Sequence, residues 1–252
     1  YFYDKENGIE PDMTKECSED GLGMVAWALL TTKKKGQKKD DILKIILNQA
    51  KNWNYLRSKA YLILGLTNGT LISLENDLIN DILRVYKDDG NWKWFEDRLT
   101  YGNALIPWAL WKKGRTRQDN ESLKAAKSST EFLLNKCQKD DVPMPVAHLG
   151  LEKNDNERLY FDQQPIEAGY MVRCLEEAYK ATNDNYYKNM AEKWWGWFWG
   201  NNINKVKLID DDFACYDGLT VKDDKVNLNQ GAESNICFLM AYLAVRRLGL
   251  VD

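Results

Sequence analysis

The sequence lacks the residues that several kinds of site require. It has a single histidine, so it cannot build a metal centre from histidine ligands. Its five cysteines are odd in number, widely spread and without metal-ligand spacing. They are Cys17, Cys137, Cys174, Cys215 and Cys237. We therefore expect reduced, mostly buried thiols in a cytoplasmic protein, with no metal and no cofactor.

Excess charge and long apolar runs are also scarce. Lys and Arg total 35 against 38 Asp and Glu, a formal net charge of −3, without a basic block. This balance argues against a nucleic-acid partner. No apolar stretch is long enough to cross a bilayer, so we expect no membrane partner. No signal peptide is visible, although a chain that starts at Tyr1 leaves a processed N-terminus open.

What the sequence does have is helical periodicity along its whole length. Ser18, Asp162 and Asp184 are predicted N-caps, Pro165 falls in a first turn, and Pro107 predicts a kink or an early restart of its helix. Two irregular segments, 138–161 and 201–229, interrupt the pattern, and the first is expected to form short strands or a lid. Helices are predicted over residues 18–30, 40–50, 54–66, 73–86, 100–111, 120–137, 162–180, 184–200 and 230–248. On the last helix, Ile236, Leu239, Met240 and Leu243 are predicted to share one face.

These helices form pairs, because the odd ones follow long motif-bearing loops and the even ones follow short turns. Repeated helical hairpins stack side by side, since one hairpin cannot bury its own apolar face. The pattern predicts an all-α protein with an α/α-toroid fold, long loops at one rim and a single domain over residues 1–252. No heptad persists and strands are few, which argues against a coiled coil and against Rossmann or barrel enzymes. A domain boundary near 138–159 would lack linker composition.

Four acidic motifs precede or open odd-numbered helices: residues 91–104, 161–168, 215–219 and 229–234. In a toroid, the N-terminal ends of the inner helices meet at one rim, so these acids would face one cavity. Glycoside hydrolysis needs such an inventory, with one carboxylic acid to protonate the leaving oxygen and a second to activate water or attack. Aromatic rings would stack on the sugar and amides would bind its hydroxyls.

Glu96 and Asp162 are the leading acid and base candidates, and Glu167, Asp217 and Glu233 are the alternates. The expected substrate-binding residues are Trp92, Trp94, Tyr101, Asn103, Tyr160, Gln163, Gln164, Tyr216, Asn229 and Gln230. Structural interpretations stay open for several of them. Glu96 would form a surface ion pair, Asp217 would belong to a turn, and Glu233 would be a first-turn acid favoured by the helix dipole. The tryptophan-rich segment 194–199 favours buried packing or a subunit contact.

Three pieces carry a resemblance to a known family: residues 94–101, the Asp-Gln-Gln-Pro-Ile-Glu-Ala run at 162–168, and the Asn-Gln-Gly-Ala-Glu-Ser run at 229–234. They resemble α/α-toroid proteins of the six-hairpin glycosidase-like superfamily that are associated with glycosyltransferases. The resemblance covers roughly the last two thirds of the chain. Six hairpins need twelve helices, whereas about nine are predicted, so an open or incomplete toroid is expected.

This resemblance implies a carbohydrate context and leaves three hypotheses. The first is a glycoside hydrolase that acts on an oligosaccharide or glycan. The second is a non-catalytic carbohydrate-binding or accessory module with a glycosyltransferase partner. The third is a structural helical scaffold, and a homo-oligomer is a further expected partner state. Toroid epimerases generally rely on several histidines, and this chain has one. Zinc-dependent cyclases need Cys/His ligands, and the spacing here does not provide them.

Overall fold

The structure is a computed structural model that describes residues 18–33, 35–66, 71–155, 159–221 and 225–252, with the backbone of 3–4 and 8–9. The chain divides into two compact units, Tyr1–Asn80 and Asp81–Asp252. The single-domain prediction stays a prediction. Cys17 lies outside the described residues, and so do Thr67, Asn68 and Gly69, whose sequence predicts the end of the third helix.

The first unit is built on two helices that pack closely. Its strands are β1 (Tyr3–Asp4) and β2 (Gly8–Ile9), and its helices are α1 (Glu19–Thr31), α2 (Gln37–Ala50), α3 (Leu56–Gly65) and the start of α4 (Ile72–Val85). Ser18 caps α1 as predicted, because its hydroxyl accepts a hydrogen bond from the Gly21 amide at 3.2 Å. A Cβ on Gly23 of α1 would lie 2.8 Å from the Ser58 carbonyl oxygen of α3, so glycine permits the close contact.

The second unit contains five further helices and eight two-residue strands within its described residues. The helices are α5 (Leu105–Arg117), α6 (Asn120–Lys136), α7 (Pro165–Thr182), α8 (Asn185–Trp195) and α9 (Ala232–Arg247). The strands are β3 (Lys87–Asp88), β4 (Lys93–Trp94), β5 (Arg98–Leu99), β6 (Gln138–Lys139), β7 (Val142–Pro143), β8 (Leu151–Glu152), β9 (Gly218–Leu219) and β10 (Val226–Asn227). The antiparallel pairs are β3–β4, β5–β8, β6–β7 and β9–β10.

Three odd-numbered helices, α5, α7 and α9, lie side by side and parallel, with α7 in the middle. Gly169 packs on Cys237 near the starts of α7 and α9, and Glu176 binds Arg247 towards their ends. Two parallel helices that follow each other in the chain must be connected by a segment that runs back between them. The even helices are these segments, since α6 packs against α5 and α8 packs against α7. The odd helices are therefore the inner layer and the even helices the outer layer of stacked hairpins, as the sequence predicted.

The start of α5 differs from the prediction. The helix begins at Leu105 instead of residue 100, so Pro107 is its third residue and lies in the first turn, where its missing N–H costs no helical bond. It continues to Arg117 through Gly114. Glycine is needed there for packing, since a Cβ at Gly114 would lie 2.8 Å from the Leu123 side chain of α6. With Pro107 in the first turn no kink is needed, and residues 114–117, which the predicted helix end at 111 leaves in a connection, belong to α5.

The apolar face of α9 that the sequence indicates is not the face that the helix buries. Ile236, Leu239 and Leu243 are 56%, 53% and 46% exposed. The buried face instead carries smaller or aromatic residues, Ser234, Cys237, Phe238, Ala241, Ala244 and Val245. The contact at Gly169 explains why these side chains are small. The two helices are so close there that a Cβ on Gly169 would lie 2.7 Å from the Cys237 carbonyl oxygen. Small side chains fit that contact better than leucines.

The tryptophan-rich end of α8 belongs to the core. Trp194, Trp197 and Phe198 are at most 1% exposed, and Trp195 stacks on Phe238 of α9 with ring centroids 5.3 Å apart. The helix starts at its predicted cap, since the Asp184 carboxylate accepts a hydrogen bond from the Tyr186 amide at 2.9 Å. It ends at Trp195, and a 3₁₀ turn follows over Gly196–Phe198. Buried packing was one of the two interpretations of this segment.

Candidate functional site

The N-terminal ends of α5, α7 and α9 lie at the same end of the inner layer and are tied together by hydrogen bonds. Motifs 91–104, 161–168 and 229–234 lead directly into α5, α7 and α9, and the backbone bridge between Leu219 and Gln163 joins the fourth motif, 215–219, to the second. We call this end the acidic rim and define it by its five predicted acids, Glu96, Asp162, Glu167, Asp217 and Glu233. Their surroundings differ sharply, and those differences separate structural acids from candidates for chemistry.

Glu167 links α7 to the start of α5. It is 7% exposed, and its carboxylate accepts hydrogen bonds from the backbone amide of Gly102 and from the side chain of Asn103 at 3.0 Å. The backbone amide of Asn103 also points at this carboxylate, at 3.3 Å. A buried carboxylate held by several N–H donors positions the loop that carries them. Asn103 is itself 1% exposed, so both residues are buried and support the loop before α5.

Gln163 links α7 to the segment before α9. Its backbone forms a two-way bridge with Leu219, at 3.1 and 2.9 Å, and its fully buried side chain accepts a bond from the Trp197 indole N–H at 3.1 Å. Gly218 lies against it with φ +139°, and a Cβ there would be 2.0 Å from the Gln163 carbonyl oxygen. Only glycine permits this approach.

Asp217 and Glu233 form a carboxylate pair where α9 begins. Asp217 Oδ1 accepts hydrogen bonds from the Gly231 amide at 2.7 Å and from the Ser234 hydroxyl at 2.6 Å. Partial burial and the negative charge of Asp217 raise the pKa of Glu233 above its ordinary value of 4.5. Two neighbouring carboxyl groups are therefore held differently: one is fixed by donors, and the other retains its proton more strongly.

Asp162 and His148 form a second polar group on the acidic rim. The backbone amide of Asp162 donates to His148 Nδ1 at 3.1 Å, and the His148 amide donates to the Asp162 carbonyl oxygen at 2.9 Å. Asp162 is thus paired in an extended segment and does not cap α7. Gln164 occupies the cap position without a side-chain bond, while Pro165 opens the helix as predicted. An imidazole that accepts at Nδ1 carries its proton on Nε2.

His148 was not among the predicted site residues. It is exposed, and its backbone and ring both join the Asp162 segment. The sequence signal was available, since this is the one histidine of the chain and it lies in an irregular segment before a motif-bearing helix. A single histidine argues against metal and epimerase chemistry, but it does not reveal the pairing with Asp162, which spans 14 residues that carry no local pattern.

The predicted aromatic platforms divide into buried and accessible rings. Trp92 and Trp94 are 3% and 0% exposed and pack on Phe132, so they belong to the core and neither ring face is open to a sugar. Tyr101 is 41% exposed. Tyr160 and Tyr216 are partly exposed.

The amides divide in the same way. Gln163 and Asn103 are buried, whereas Gln164, Asn229 and Gln230 are exposed. Glu96 is partly exposed, and its carbonyl oxygen accepts a bond from the Trp92 indole at 2.8 Å. Accessible polar groups therefore remain at the starts of α7 and α9.

Within the described part of the chain, no group of three or more His, Cys, Asp or Glu residues is arranged to hold a metal ion. Cys137, Cys174, Cys215 and Cys237 are free and buried. Burial raises the pKa of Cys215 to about 12, aided by the charge of Asp217, so this thiol stays protonated. None of the described helices has the length and apolar character needed to cross a bilayer. A cytoplasmic location stays a prediction.

Comparison with known proteins shows the fold. No protein-family model matches the chain, and no curated protein matches it in sequence. Among solved structures, it is similar to a D-mannose isomerase, with a TM-score of 0.64 and 12% identity over 91% of this chain and 72% of the other. It is also similar to an unsaturated glucuronyl hydrolase specific for heparin, with a TM-score of 0.60 and 10% identity over 93% and 72%. Both are six-hairpin glycosidase-like proteins, so this chain has the α/α-toroid fold, and that prediction is confirmed.

Proposed function

We propose that the protein is a glycoside hydrolase whose general acid is Glu233 and whose partner carboxylate is Asp217. The observation that carries this proposal is the raised pKa of Glu233 beside a carboxylate held by two donors. Glycoside hydrolysis uses two carboxyl groups whose environments separate their tasks. Among the five predicted acids, this choice moves the leading roles from Glu96 and Asp162 to the two alternates at the start of α9.

The roles follow from the geometry of the pair. Glu233 lies in the first turn of α9 and is exposed, and its raised pKa favours the protonated form that a general acid needs. Asp217 is fixed through Oδ1, and no described residue donates a hydrogen bond to its Oδ2. That oxygen can orient a water or attack the anomeric carbon. Product anomer analysis separates these two routes, because retention and inversion need different carboxylate separations.

Other accessible groups of the acidic rim would bind the sugar. Gln164, Asn229 and Gln230 supply amide donors and acceptors, and Tyr101 supplies an exposed ring. Asp162 and Glu96 would accept bonds from sugar hydroxyls. The fold similarity to a D-mannose isomerase and to a heparin-specific unsaturated glucuronyl hydrolase supports a carbohydrate substrate. Oligosaccharides that contain mannose or unsaturated glucuronate are therefore the first compounds to screen.

The test is the Glu233→Gln variant, assayed on an oligosaccharide that the wild-type protein cleaves. We expect turnover to fall by about 10²–10⁴-fold, because general acid catalysis contributes that much. Glu121→Gln is the matched control, since Glu121 is also an exposed acid in the first turn of a helix, α6 in the outer layer. The control should keep wild-type turnover, and circular dichroism should show that both variants are folded.

Asp217→Asn completes the test. It keeps an acceptor for the Gly231 amide and the Ser234 hydroxyl but removes the charge. We expect a comparable loss of turnover. Full activity in both folded variants would refute the assignment of this pair and return Glu96 and Asp162 to the leading roles.

A second candidate function is a non-catalytic carbohydrate-binding module that serves a glycosyltransferase. The observation that favours it is the structural use of two of the acids, since Glu167 and Asp217 each anchor a helix start. Such a module would bind oligosaccharides without cleaving them. Calorimetric binding of a glycan, with no product after prolonged incubation, would select this function over hydrolysis.

A further inference from the structure

The C-terminal halves of the same three inner helices carry a very different set of charges. Residues 112–117 of α5, 173–182 of α7 and 236–247 of α9 contain eight basic side chains and two acidic ones. The basic residues are Lys112, Lys113, Arg115, Arg117, Arg173, Lys180, Arg246 and Arg247. The acids are Glu176 and Glu177, which are 0% and 4% exposed. We call this end the basic end.

Glu176 is surrounded by cations from two helices. Arg247 of α9 donates through Nε at 2.6 Å and through Nη2 at 3.0 Å. Lys180 Nζ lies 2.7 Å from Oε1, and Arg173 pairs with Oε2. Both carboxylate oxygens are therefore fully used, and a buried charge held in this way is a fixed part of the fold.

Glu177 connects this cluster to the third inner helix, α5. Arg115 of α5 donates to Oε2 at 2.9 Å, and Lys180 donates to Oε1 at 3.1 Å. Lys180 thus contacts both glutamates and lies between Arg115 and Arg247. The heads of three cations, one from each inner helix, gather around two adjacent carboxylates.

The helix dipoles do not balance the surplus of positive charge at the basic end. Arg115, Arg173, Lys180 and Arg247 contact two glutamates, and Lys112 interacts with Glu177, so five positive charges surround two negative ones. A helix C-terminus contributes about half a negative charge at most, so three of them contribute about 1.5. A surplus of more than one positive charge is left at the basic end.

The two glutamates leave several donors of this cluster unused. The side chains of Arg115, Lys180 and Arg247 are 35%, 35% and 45% exposed. Lys180 gives two of its three N–H groups to the glutamates, and Arg247 leaves Nη1 unused by Glu176. Arg115 Nε is buried and has no partner among the described residues. Donors on three helices therefore converge on one small region.

We propose that the basic end binds a phosphate group between Arg115, Lys180 and Arg247. A tetrahedral oxyanion accepts several charge-assisted hydrogen bonds at once, and guanidinium groups match its geometry. The cluster is compact, since one lysine touches both glutamates, so it suits a single phosphate better than an extended acidic surface. This site lies at the opposite end of the inner helices from the acidic rim and does not depend on the proposed glycosidase activity.

The pKa values of two neighbouring cations agree with a surplus of positive charge at the basic end. Burial, followed by the charges of Lys113 and Arg173, lowers the pKa of Lys112 to about 8, although Glu177 opposes the shift. Burial and the charge of Arg247 lower the pKa of Arg173 to about 10. Cations that lower each other's pKa values are those that a bound anion would stabilise.

The test is isothermal titration calorimetry of the full chain with inorganic phosphate, at constant ionic strength adjusted with chloride. We expect one phosphate per chain, and we expect Lys180→Gln to weaken binding by about tenfold or more, because one charged hydrogen bond is lost. Glutamine keeps a donor for the two glutamates, so the variant should stay folded. Lys124→Gln, which neutralises an exposed lysine of the outer helix α6, should bind phosphate like the wild type.

Thermal unfolding and vesicles complete the experiment. Phosphate should raise the Tm of the wild type and of Lys124→Gln, and should raise that of Lys180→Gln much less. Equal affinities in all three proteins, or no binding to the wild type, would overturn the proposal. Binding to vesicles that contain phosphatidate, without binding to inorganic phosphate, would also overturn it and indicate a membrane surface instead.

Discussion

The two ends of the inner helices use glutamate in opposite ways. At the basic end, Glu176 is completely buried, and three cations use both of its oxygens. At the acidic rim, Glu233 is exposed, its close charged neighbour is Asp217, and its pKa is raised by partial burial and by that neighbour. The same side chain is therefore a buried ion-pair partner where cations surround it, and it has a raised pKa where another acid lies near it.

This difference follows the direction of the helices but exceeds what the dipoles require. Parallel helices place their positive ends together at the acidic rim and their negative ends together at the basic end. Acids at one end and bases at the other are thus each favoured by about 0.3–1 kcal/mol. The pairing of Glu233 with Asp217 and the surplus of cations around Glu176 go further, and unbalanced charges of this kind are typical of functional sites.

The largest expected effect is on stability at the basic end. Glu176→Ala should lower the free energy of unfolding by about 3–5 kcal/mol, because Arg173, Lys180 and Arg247 would be left without their buried partner. The same change at the acidic rim, Glu233→Ala, should cost no more than about 1 kcal/mol, the value of a first-turn acid. Urea unfolding followed by circular dichroism measures both, with the midpoint and the m value reported separately.

Equal losses in these two variants would remove the contrast between the ends. A loss below about 1 kcal/mol for Glu176→Ala would mean that water replaces the carboxylate among the cations. In that case the basic end would be a solvated surface instead of a fixed part of the fold.

The next effect concerns the backbone that holds the acidic rim together. Gly218→Ala should lower the free energy of unfolding by about 2–3 kcal/mol. About 1–2 kcal/mol comes from the positive φ, and about 1 kcal/mol or more comes from moving the Gln163 carbonyl, which a Cβ would approach to 2.0 Å. Gly200→Ala is the matched control, since Gly200 also has a positive φ, +102°, but its nearest neighbour would lie 3.8 Å away. Identical costs for both variants would show that the bridge to Leu219 tolerates a methyl group.

Helix existence could be predicted from local pattern, whereas helix starts depended on contacts far along the chain. Ser18 and Asp184 are caps, as their positions before amphipathic runs indicated. Asp162 looked equivalent, but it pairs with His148 and its neighbour Gln163 pairs with Leu219, so the segment stays extended for two more residues. No local propensity carries information about those partners.

The start of α5 was misplaced for a related reason. Asn103 and Thr100 form a local turn, in which the Thr100 amide donates to Asn103 Oδ1 at 3.0 Å and Asn103 Nδ2 donates to the Thr100 carbonyl at 3.1 Å. Asn side chains compete with helical hydrogen bonds in this way, and here the turn delays the helix to Leu105. Glu167 then fixes the turn from α7.

The site could be predicted as a set of segments but not as a set of roles. Hairpin repetition correctly indicated that motifs before odd helices end at one rim. Burial decides which acids are available, and burial depends on packing that the sequence pattern does not express. Glu167 and Asn103 are buried, Trp92 and Trp94 belong to the core, and His148 joins the rim through a long-range contact.

The smallest expected effect is the pH dependence of stability, and it has opposite signs at the two ends. Burial acts to raise the pKa of Glu177, but bonds and charges from Arg115 and Lys180 outweigh it, so the pKa is lowered. Its stabilising contribution is therefore present above the ordinary value of 4.5 and is lost as the pH falls through the folded-state pKa. Glu177→Gln should then cost more at pH 7 than at pH 3.

Glu233 has the reverse dependence because its pKa is raised in the folded protein. Its contribution is fully present below the ordinary value of 4.5 and is lost as the pH rises through the folded-state pKa. The difference in the free energy of unfolding between the wild type and Glu233→Gln should thus decrease with rising pH. The corresponding difference between the wild type and Glu177→Gln should increase. Unfolding midpoints in urea at pH 3, 5 and 7 measure both differences. If both differences change in the same direction, the two glutamates do not sit in opposite electrostatic environments, and the assignment of the transferable proton to Glu233 loses its physical basis.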